Sequence, residues 1–364
     1  MSSPTPEPPF SSPCVIHDPM IFHGGGERYA IRLAEALDAE LYTYKQTASV
    51  DGDVEPIVFG NSSFGERLLE RSPVSGFSNT ITYENFEVPN RHDAVITTGS
   101  VAMSVIHNPD QRRYHLLHTP QRWLFDRGPG RYESSIVPLR WIKQWYQHYM
   151  RVQTQTAVSR IDDFVVNSEV ISRRLETYFR RESTEIIYPP VDTEGFYHSE
   201  SEGYLLYVGR LEPHKAVGEL IEAVNQLEYP LKIAGTGSRE DQLRKSAEDH
   251  IEFLGFVSED RKRELLANCD ALLFNSDHED FGIVPVEAFA SGKPVIGVNE
   301  GFTSYQIEPG VNGVRFERGV ANIIDAIQSA LERDWDAERI QETADTFDIE
   351  RFKQQWQSLI YESE

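Results

Sequence analysis

The sequence predicts an α/β protein with two doubly wound, Rossmann-like domains, each built on a parallel sheet and facing the other across a cleft. Three observations predict this. The chain has 364 residues and is 39% hydrophobic, which is too long for one ordinary core. Short apolar runs alternate with helical patterns from end to end, as in parallel sheets with crossover helices. An aperiodic stretch, PPVDTEGFYHSESEG, interrupts that alternation near the middle.

The first domain is predicted over residues 14–190. Residues 1–13 are rich in Pro and Ser and are expected to form a disordered tail. The predicted strands, each a short apolar run, are 14–17, 41–44, 94–98, 114–118, 164–167 and 185–189. The predicted helices are 26–38, 131–158 and 168–180.

A linker over 191–203 leads to the second domain, predicted over 204–346. Its predicted strands are 204–209, 231–235, 251–255, 271–275 and 294–298. Its predicted helices are 217–227, 239–248 and one that begins at Pro285 and ends at Gly292. Residues 347–364 contain apolar positions at helical spacing, and we expect this segment to cross back to the first domain.

The composition excludes several classes of protein. A net charge of -23 excludes general affinity for nucleic acid. Only eight of the 35 basic residues are Lys, and this preference for Arg beside many acids is typical of salt-loving organisms; the alternative is an ordinary acidic surface. No apolar run reaches the roughly 20 residues that cross a bilayer, and the start lacks a signal peptide. Cys14 and Cys269 are far apart, which gives no disulfide framework. A cytoplasmic protein is expected.

Two motifs follow predicted strands and suit anions. HGGGER (23–28) leads into a helix, and its glycines allow a ligand to approach the backbone and the free helix N–H groups. The structural alternative is a tight turn. GRLEPHK (209–215) places Arg210 and Lys215 on one loop, a cationic pair that suits a diphosphate. The alternative is a solvated loop.

The most specific motif is EDFGIVPVEAFASGKPVIG, in which Glu279 and Glu287 lie eight positions apart. If the helix begins at Pro285, Glu287 lies in its first turn, where the helix dipole favours a carboxylate. Glu279 precedes the helix in a loop with Gly282. Two carboxylates around such a loop can accept hydrogen bonds from several sugar hydroxyls. The alternative for Glu287 is stabilisation of the helix end.

From the glycine triplet through GRLEPHK to EDFGIVPVE, the chain resembles the retaining glycosyltransferases of family 4, which have the GT-B fold. The segments VVNSEVISRRLETYF, IIYPPVD and IAGTGS are similar to that family's connecting segments. HTPQRWLFD (118–126), together with EDFGIVPVEA, is similar to the mannosyltransferase-like subgroup. His278, where the subgroup often has an acid, and Ala216, where Gly is common, depart from the pattern.

The resemblance implies a role for each matching residue. Arg210 and Lys215 would neutralise the leaving diphosphate, Glu279 would hold a hydroxyl of the transferred sugar, and His118 would approach that sugar from the first domain. Glu287 would hold the nucleotide ribose. The remaining donor-binding positions would act through backbone or shape, and they are Asp280, Phe281, Gly282, Gly25 and Gly26.

No cofactor and no metal ion are expected. The described motifs include no His, Cys and Asp cluster with metal-ligand spacing. DGD (51–53) and DWD (334–336) resemble the D-x-D metal motif of other transferases, but both lie off the motif loops in acidic surroundings. Solvated surface is the better interpretation of each.

A basic island breaks the acidic pattern. Residues 111–160 hold nine Lys and Arg against two acids, a net charge of +7, whereas the rest of the chain carries -30. Trp141 and Trp145 recur at helical spacing there, among basic residues. Such a helix, with Arg122 nearby, would meet the acceptor or an anionic membrane surface. The alternative is a stripe that faces the core.

The function predicted is transfer of a hexose from a nucleotide diphospho-sugar to a hydroxyl acceptor with retention of configuration. Mannose from GDP-mannose is the favoured donor by the subgroup resemblance, and a lipid-linked glycan at the cytoplasmic membrane face is the expected acceptor. Two alternatives are a GT-B sugar-nucleotide epimerase and a non-catalytic glycosyltransferase-like subunit.

Overall fold

The structure is a computed structural model that describes residues 10, 12–21, 24–47, 52–60, 75–126 and 137–362. The chain forms two compact units. The first runs to Tyr188 and takes up the chain again at Phe352, and the second is Pro189–Arg351. Each unit is a parallel-sheet α/β domain, so the predicted fold class is confirmed.

The first unit contains a seven-stranded sheet in the order β3-β2-β1-β4-β5-β6-β7. Its strands are β1 (Pro13–His17), β2 (Glu40–Thr43), β3 (Ile57–Val58), β4 (Ala94–Thr98), β5 (Arg112–Leu117), β6 (Asp163–Val166) and β7 (Glu185–Ile186). All pairs are parallel. The strand order reverses between β1 and β4, and parallel sheets bind ligands at the carboxyl side of that point.

Within the described residues, the first unit has four α-helices before the second unit begins. They are α1 (Gly25–Ala36), α2 (Ser75–Glu84), α3 (Val137–Val158) and α4 (Glu169–Phe179). The first six residues of the predicted helix 131–158 lie outside the described residues. β3 and α2 were not predicted. Both residues of β3 are exposed, so no apolar run marks that strand.

The predicted tail of 1–13 is wrong at its end. Pro13 is buried and opens β1. The Ser12 amide donates to the Asp93 carboxylate at 3.0 Å, and the Phe10 ring packs edge-on against Tyr114. The remaining residues of that segment, 1–9 and 11, lie outside the described part of the chain.

The second unit contains a six-stranded parallel sheet in the order β10-β9-β8-β11-β12-β13. Its strands are β8 (Leu205–Val208), β9 (Leu231–Ala234), β10 (Ile251–Gly255), β11 (Ala271–Phe274), β12 (Val295–Val298) and β13 (Gly313–Phe316). Its helices are α5 (Val217–Leu227), α6 (Glu240–Ser246), α7 (Glu259–Asn268), α8 (Ile283–Ala290), α9 (Thr303–Gln306), α10 (Val320–Leu331) and α11 (Ala337–Glu342).

The segment predicted as a linker, 191–203, packs on the second unit. Val191 forms an isolated parallel bridge with Asp348. The Lys293 ammonium donates to the Ser199 carbonyl at 2.7 Å. These contacts satisfy backbone groups that sequence periodicity does not reveal.

The last helix, α12 (Ile349–Gln357), begins in the second unit and ends in the first. Phe352 and Trp356 are buried in the core of the first unit with Tyr29. The Trp356 indole N–H donates to the Tyr29 hydroxyl at 3.3 Å. None of the described helices is both long enough and apolar enough to cross a membrane.

Candidate functional site

The carboxyl edge of the second sheet gathers the two most specific motifs. Arg210 lies in the loop after β8, and Glu279 lies in the loop after β11. β8 and β11 are hydrogen-bonded neighbours at the point where the strand order reverses. Loops that follow adjacent parallel strands meet at one edge, so this edge is the expected ligand site of the unit.

Lys215 ends a short 3-10 turn, Pro213–Lys215, and its ammonium reaches the β11 loop. It donates to the Glu279 carboxylate and to the Ser276 hydroxyl, the latter at 3.2 Å. Ser276 in turn donates to the same carboxylate at 2.5 Å. The structure thus brings Lys215, predicted to bind the diphosphate, into contact with Glu279, predicted to bind the sugar.

Ala216 follows Lys215 with φ 45°, in the left-handed region. Glycine adopts that region without steric cost, which explains why glycine is common at this position in the resembled family. Arg210 differs from Lys215 because its side chain is exposed, while its carbonyl accepts from the Tyr207 hydroxyl at 3.2 Å.

Glu279 is held ionised. Burial raises the pKa of its carboxyl group, but the charge of Lys215 and the hydrogen bonds from Lys215 and Ser276 lower it further than burial raises it. The net result is a pKa below the ordinary glutamate value. An ionised carboxylate only accepts hydrogen bonds, so Glu279 is suited to hydroxyl donors.

The backbone from Glu279 to Gly282 is fixed by neighbouring loops. The Phe302 amide donates to the Glu279 carbonyl at 2.8 Å, and the Gln306 side-chain amide donates to the Gly282 carbonyl at 2.9 Å. At Gly301 (φ 57°) a β-carbon would lie 2.5 Å from the Glu279 carbonyl oxygen, so only glycine fits there. Phe281 is buried and stacks on Phe302. A role for Phe281 in ligand binding would therefore come from its backbone.

α8 begins at Ile283, two residues before the predicted start at Pro285. Gly282, with φ 81°, occupies the N-cap position and, as a glycine, has no side chain with which to cap the helix. The first N–H groups of a helix lack partners within the helix and attract anions. A proline is tolerated anywhere in the first turn, because the N–H group that it lacks would have no partner within the helix. Pro285 therefore marks the first turn of α8 and not its first residue.

Glu287 lies two residues further into α8 than predicted, as its fifth residue and beyond the first turn. The dipole argument for its carboxylate is therefore weaker than expected. Its buried side chain pairs instead with Lys262 of α7 at 2.7 Å, and Lys262 also contacts Glu259 at 2.7 Å. Lys262 therefore orients Glu287, the residue predicted to bind the ribose.

His278 adopts φ 48° and lies between two carboxylates. Its Nδ1 is 2.9 Å from Asp277 and 3.1 Å from Glu300. Among the described residues, Asp277, His278 and Glu300 form a group whose ligand atoms lie within 4.8 Å of one another. Arg318, however, binds both Glu300 oxygens at 2.8 Å. The cluster is an ion-pair network that holds the loop before Glu279.

In the first unit, the predicted residues lie at the carboxyl edges of β1 and β5. Gly25 and Gly26 form the first turn of α1. A β-carbon at Gly25 would meet no atom of the described residues within 4 Å, and one at Gly26 would lie 3.8 Å from His17 Cε1. Within the described part of this unit, space is thus left at the start of α1.

His118 follows β5 and is fixed by two contacts. Its Nε2 lies 2.9 Å from the Thr98 hydroxyl, and its ring packs edge-on against Tyr29. Burial, followed by the nearby His17, lowers the pKa of His118 to about 3. Its imidazole is therefore neutral at physiological pH. Its predicted contact with a sugar stays a prediction.

The exposure of the α3 side chains distinguishes the two interpretations of the basic island, a surface that meets acceptor or membrane and a stripe that faces the core. Trp141 and Trp145 are 66% and 68% exposed, so the core-facing interpretation is wrong for them. The charge argument is weakened, because Arg122 pairs with Asp126, and Arg151 donates to the Leu124 carbonyl at 2.9 Å. The exposed surface is mainly apolar.

Sequence reasoning missed Lys262 and Ser276, and it could not decide between an acceptor contact and a structural turn for His17 and Asp18. Lys262 and Ser276 belong to no recognisable motif, and their contacts depend on helix packing and strand order. Asp18 accepts hydrogen bonds from the amides of Ser100, Val101 and Ala102 at 2.7–2.8 Å. It therefore fixes the loop after β4, which is a structural role.

The chain resembles known proteins both in sequence and in fold. Residues 194–347 match the family "Glycosyl transferases group 1". An uncharacterized glycosyltransferase of Methanocaldococcus jannaschii is 30% identical over 170 residues, which cover 46% of this chain and 48% of that protein. The O-antigen chain mannosyltransferase B of Escherichia coli is 31% identical over 110 residues, covering 27% of this chain and 29% of that protein. These alignments thus span half or less of the curated relatives.

The crystal structure of the Anabaena protein HepE in complex with UDP superposes with a TM-score of 0.69 at 19% identity, covering 95% of this chain and 98% of that one. This likeness shows the fold. Residues 194–347, less than half of the chain, therefore resemble the glycosyl transferases group 1 family, and the two units have the GT-B fold.

Proposed function

We propose that the protein transfers a hexose from a nucleoside diphospho-sugar to a hydroxyl acceptor. One observation carries the proposal: the Lys215, Ser276 and Glu279 side chains are hydrogen-bonded together in the loops at the carboxyl edge that leads into α8. A cation, an ionised carboxylate and the N-terminus of a helix thus belong to one edge of the unit that resembles group 1 glycosyltransferases.

Each part of the donor then has a suitable partner. The diphosphate is stabilised by Lys215, by Arg210 and by the first N–H groups of α8. Glu279 accepts hydrogen bonds from hydroxyls of the transferred sugar. Glu287, oriented by Lys262, accepts hydrogen bonds from the ribose hydroxyls.

Transfer with retention follows from a front-face displacement. The bond from the anomeric carbon to the phosphate oxygen breaks, and a bond to the acceptor oxygen forms on the same face. The departing phosphate oxygen takes the acceptor proton, while Lys215 and Arg210 stabilise its negative charge. Glu279 is a poor nucleophile because Lys215 and Ser276 already engage its charge. Catalysis is then mostly positioning and electrostatics, without a metal ion.

Mannose from GDP-mannose is the favoured donor. HTPQRWLFD and EDFGIVPVEA support it by resemblance, and the Escherichia coli mannosyltransferase supports it by a short alignment. HepE, in contrast, was crystallised with UDP. A test of the donor should therefore include both guanosine and uridine diphospho-sugars.

A lipid-linked acceptor at a membrane surface fits the exposed face of α3. Its large apolar side chains that are at least 40% exposed are Val137, Leu139, Trp141, Ile142, Trp145 and Val152. Tryptophan at the headgroup level anchors helices that lie in a membrane interface. Because several basic residues nearby are already paired, apolar contact contributes more to this docking than charge does.

A donor screen tests the proposal. The protein is incubated with GDP-mannose, UDP-glucose and other nucleoside diphospho-sugars, and release of sugar and nucleoside diphosphate is followed. We expect slow hydrolysis of one donor in the absence of acceptor. Epimerisation of the sugar without release would favour the epimerase alternative. The absence of binding and turnover with every donor would favour the non-catalytic alternative.

A further inference from the structure

We propose that the first unit binds a small monovalent anion of the chloride class beside Arg113, inside the protein and independently of the proposed transferase site. Arg113 lies on β5 and its side chain is completely buried. Its Nη2 donates to the Met103 carbonyl. Nε and Nη1 are buried without a hydrogen-bond partner among the described residues.

The charge around Arg113 is not balanced. Within the described part of the chain, no carboxylate oxygen lies within ion-pair distance of the Arg113 guanidinium. Asp162 accepts from the Arg113 backbone amide at 2.9 Å. A second cation, Arg160, is close enough to act on Arg113 electrostatically. Arg160 is half-buried and Asp162 is exposed, so the buried charge is that of Arg113. A buried guanidinium without a carboxylate partner is costly unless an anion joins it.

His115 supplies a second unsatisfied group on the same side of the strand. It lies two residues beyond Arg113, and strand side chains alternate between faces. Its ring is fully buried, Nδ1 lies 2.9 Å from the Thr97 hydroxyl, and Nε2 has no partner among the described residues. The single hydroxyl proton of Thr97 can go to the Tyr114 carbonyl at 3.2 Å or to Nδ1 of His115 at 2.9 Å. When Thr97 donates to Nδ1, the closer partner, Nε2 carries the imidazole proton and donates to the anion.

The surroundings select the class of ion. Met103, Val158 and Phe164 belong to one apolar cluster on this side of the sheet. The Phe164 ring packs edge-on against His115. A large or multiply charged anion would lose too much hydration in such a site, whereas a halide loses less and accepts N–H donors from any direction. The donors available, Arg113 Nε and Nη1 and His115 Nε2, suit a single halide.

Bromide provides a direct probe, since it replaces chloride and scatters anomalously. Crystals of the full chain grown in sodium bromide should show an anomalous peak in contact with the Arg113 guanidinium. An ordered water at that position, with no anomalous signal, would overturn the proposal. This arm needs no variant.

Thermal unfolding provides the second arm, in sodium chloride against sodium gluconate at equal sodium concentration. For the native chain we expect the unfolding midpoint to rise by roughly 3–5 °C for each tenfold increase in chloride above its dissociation constant. Arg113→Met should abolish this rise. Arg112→Met is the matched control. Arg112 lies on β5 next to Arg113, but its side chain is half-exposed and paired with Asp163 of β6. An equal chloride effect in both variants would overturn the site, and if Arg113→Met does not fold, the bromide result decides.

Discussion

Lys215 makes contacts in the free protein that a diphosphate would have to share. Its ammonium donates to Glu279 and Ser276, and Glu279 is ionised partly because of that charge. Arg210 has an exposed side chain and is not among the main causes of the lowered pKa of Glu279. The two cations therefore differ at the level of single residues, although sequence alone treats them as one clamp.

Replacing either cation should slow transfer. Loss of one charge-assisted contact to the developing phosphate charge costs about 2–4 kcal/mol of transition-state stabilisation, so Arg210→Ala and Lys215→Ala should each lower turnover about a hundredfold or more. Lys245→Ala, at an exposed position of α6, is the control and should retain turnover. A folded Arg210 or Lys215 variant with full activity would contradict the assigned role.

The pH dependence should separate the two variants. Without Lys215, burial is no longer outweighed, so the pKa of Glu279 rises. The sugar-binding carboxylate then needs a higher pH to ionise, and the acidic limb of the activity profile of Lys215→Ala should move to higher pH. The limb should stay in place in Arg210→Ala. Activity profiles measured over the acidic range give the comparison.

The sequence predicts which residues belong to the site where a distinctive motif contains them. It does not predict which side chains those residues contact. Glu279 and Lys215 were recognisable because each lies in a distinctive loop. Their contact depends on the adjacency of β8 and β11, which are separated in the chain by two other strands. Lys262 gave no signal, since a lysine in the first turn of a helix is ordinarily solvated.

At the scale of elements, helix α3 shows how amphipathic spacing leaves its apolar face ambiguous. The same spacing of Trp141 and Trp145 serves a core or a membrane surface, and only the fold distinguishes them. The structure leaves both rings exposed and buries Gln147 and Met150 instead. Gln147 donates to the Trp123 carbonyl at 2.7 Å, which fixes the opposite side of the helix.

Changing the exposed tryptophans should detach the protein from membranes without unfolding it. We expect the double variant Trp141→Ser, Trp145→Ser to retain its circular dichroism spectrum, because neither ring contributes to the core. Its co-sedimentation with vesicles that contain anionic lipid should fall, while that of the native chain should persist partly at high salt. Unchanged vesicle binding by the folded variant would leave a soluble acceptor as the better hypothesis.

Element boundaries were predictable where apolar runs are sharp and less so near unusual backbone. The limits of α5 and of β4 agree with the sequence pattern to the residue. The start of α8 does not, because the left-handed Gly282 determines where the helix begins. β3 escaped detection because a two-residue edge strand with exposed side chains has no apolar alternation.

For the whole molecule, buried neutral histidines make stability depend on pH. Burial is the first cause that lowers the pKa of His17 to about 4 and of His115 and His118 to about 3. In the unfolded chain these groups protonate near pH 6.5. The unfolded state therefore binds more protons between these values, and the stability contributed by the neutral histidines is lost as the pH falls from about 6.5.

A histidine variant isolates this effect from the titration of the acidic surface. Each buried histidine contributes a slope of up to about 1.4 kcal/mol per pH unit between its two pKa values. His115→Gln should therefore show a shallower loss of unfolding free energy between pH 6.5 and 4.5 than the native chain. His148→Gln, at an exposed position of α3, should match the native slope. Urea unfolding at each pH measures both, and identical slopes in the two variants would contradict the burial argument.

Calorimetric binding of nucleotides to three forms of the protein tests the central claim, that the second unit holds a nucleoside diphospho-sugar along Glu287, Lys215 and Glu279. The native chain should bind a nucleoside diphosphate and its sugar conjugate. Glu287→Ala should weaken binding of both, because ribose is common to them. Glu279→Ala should leave the nucleoside diphosphate nearly unaffected and remove the part of the affinity that the sugar adds. Equal losses for the bare nucleoside diphosphate in both variants, or no binding by the native chain, would contradict the account.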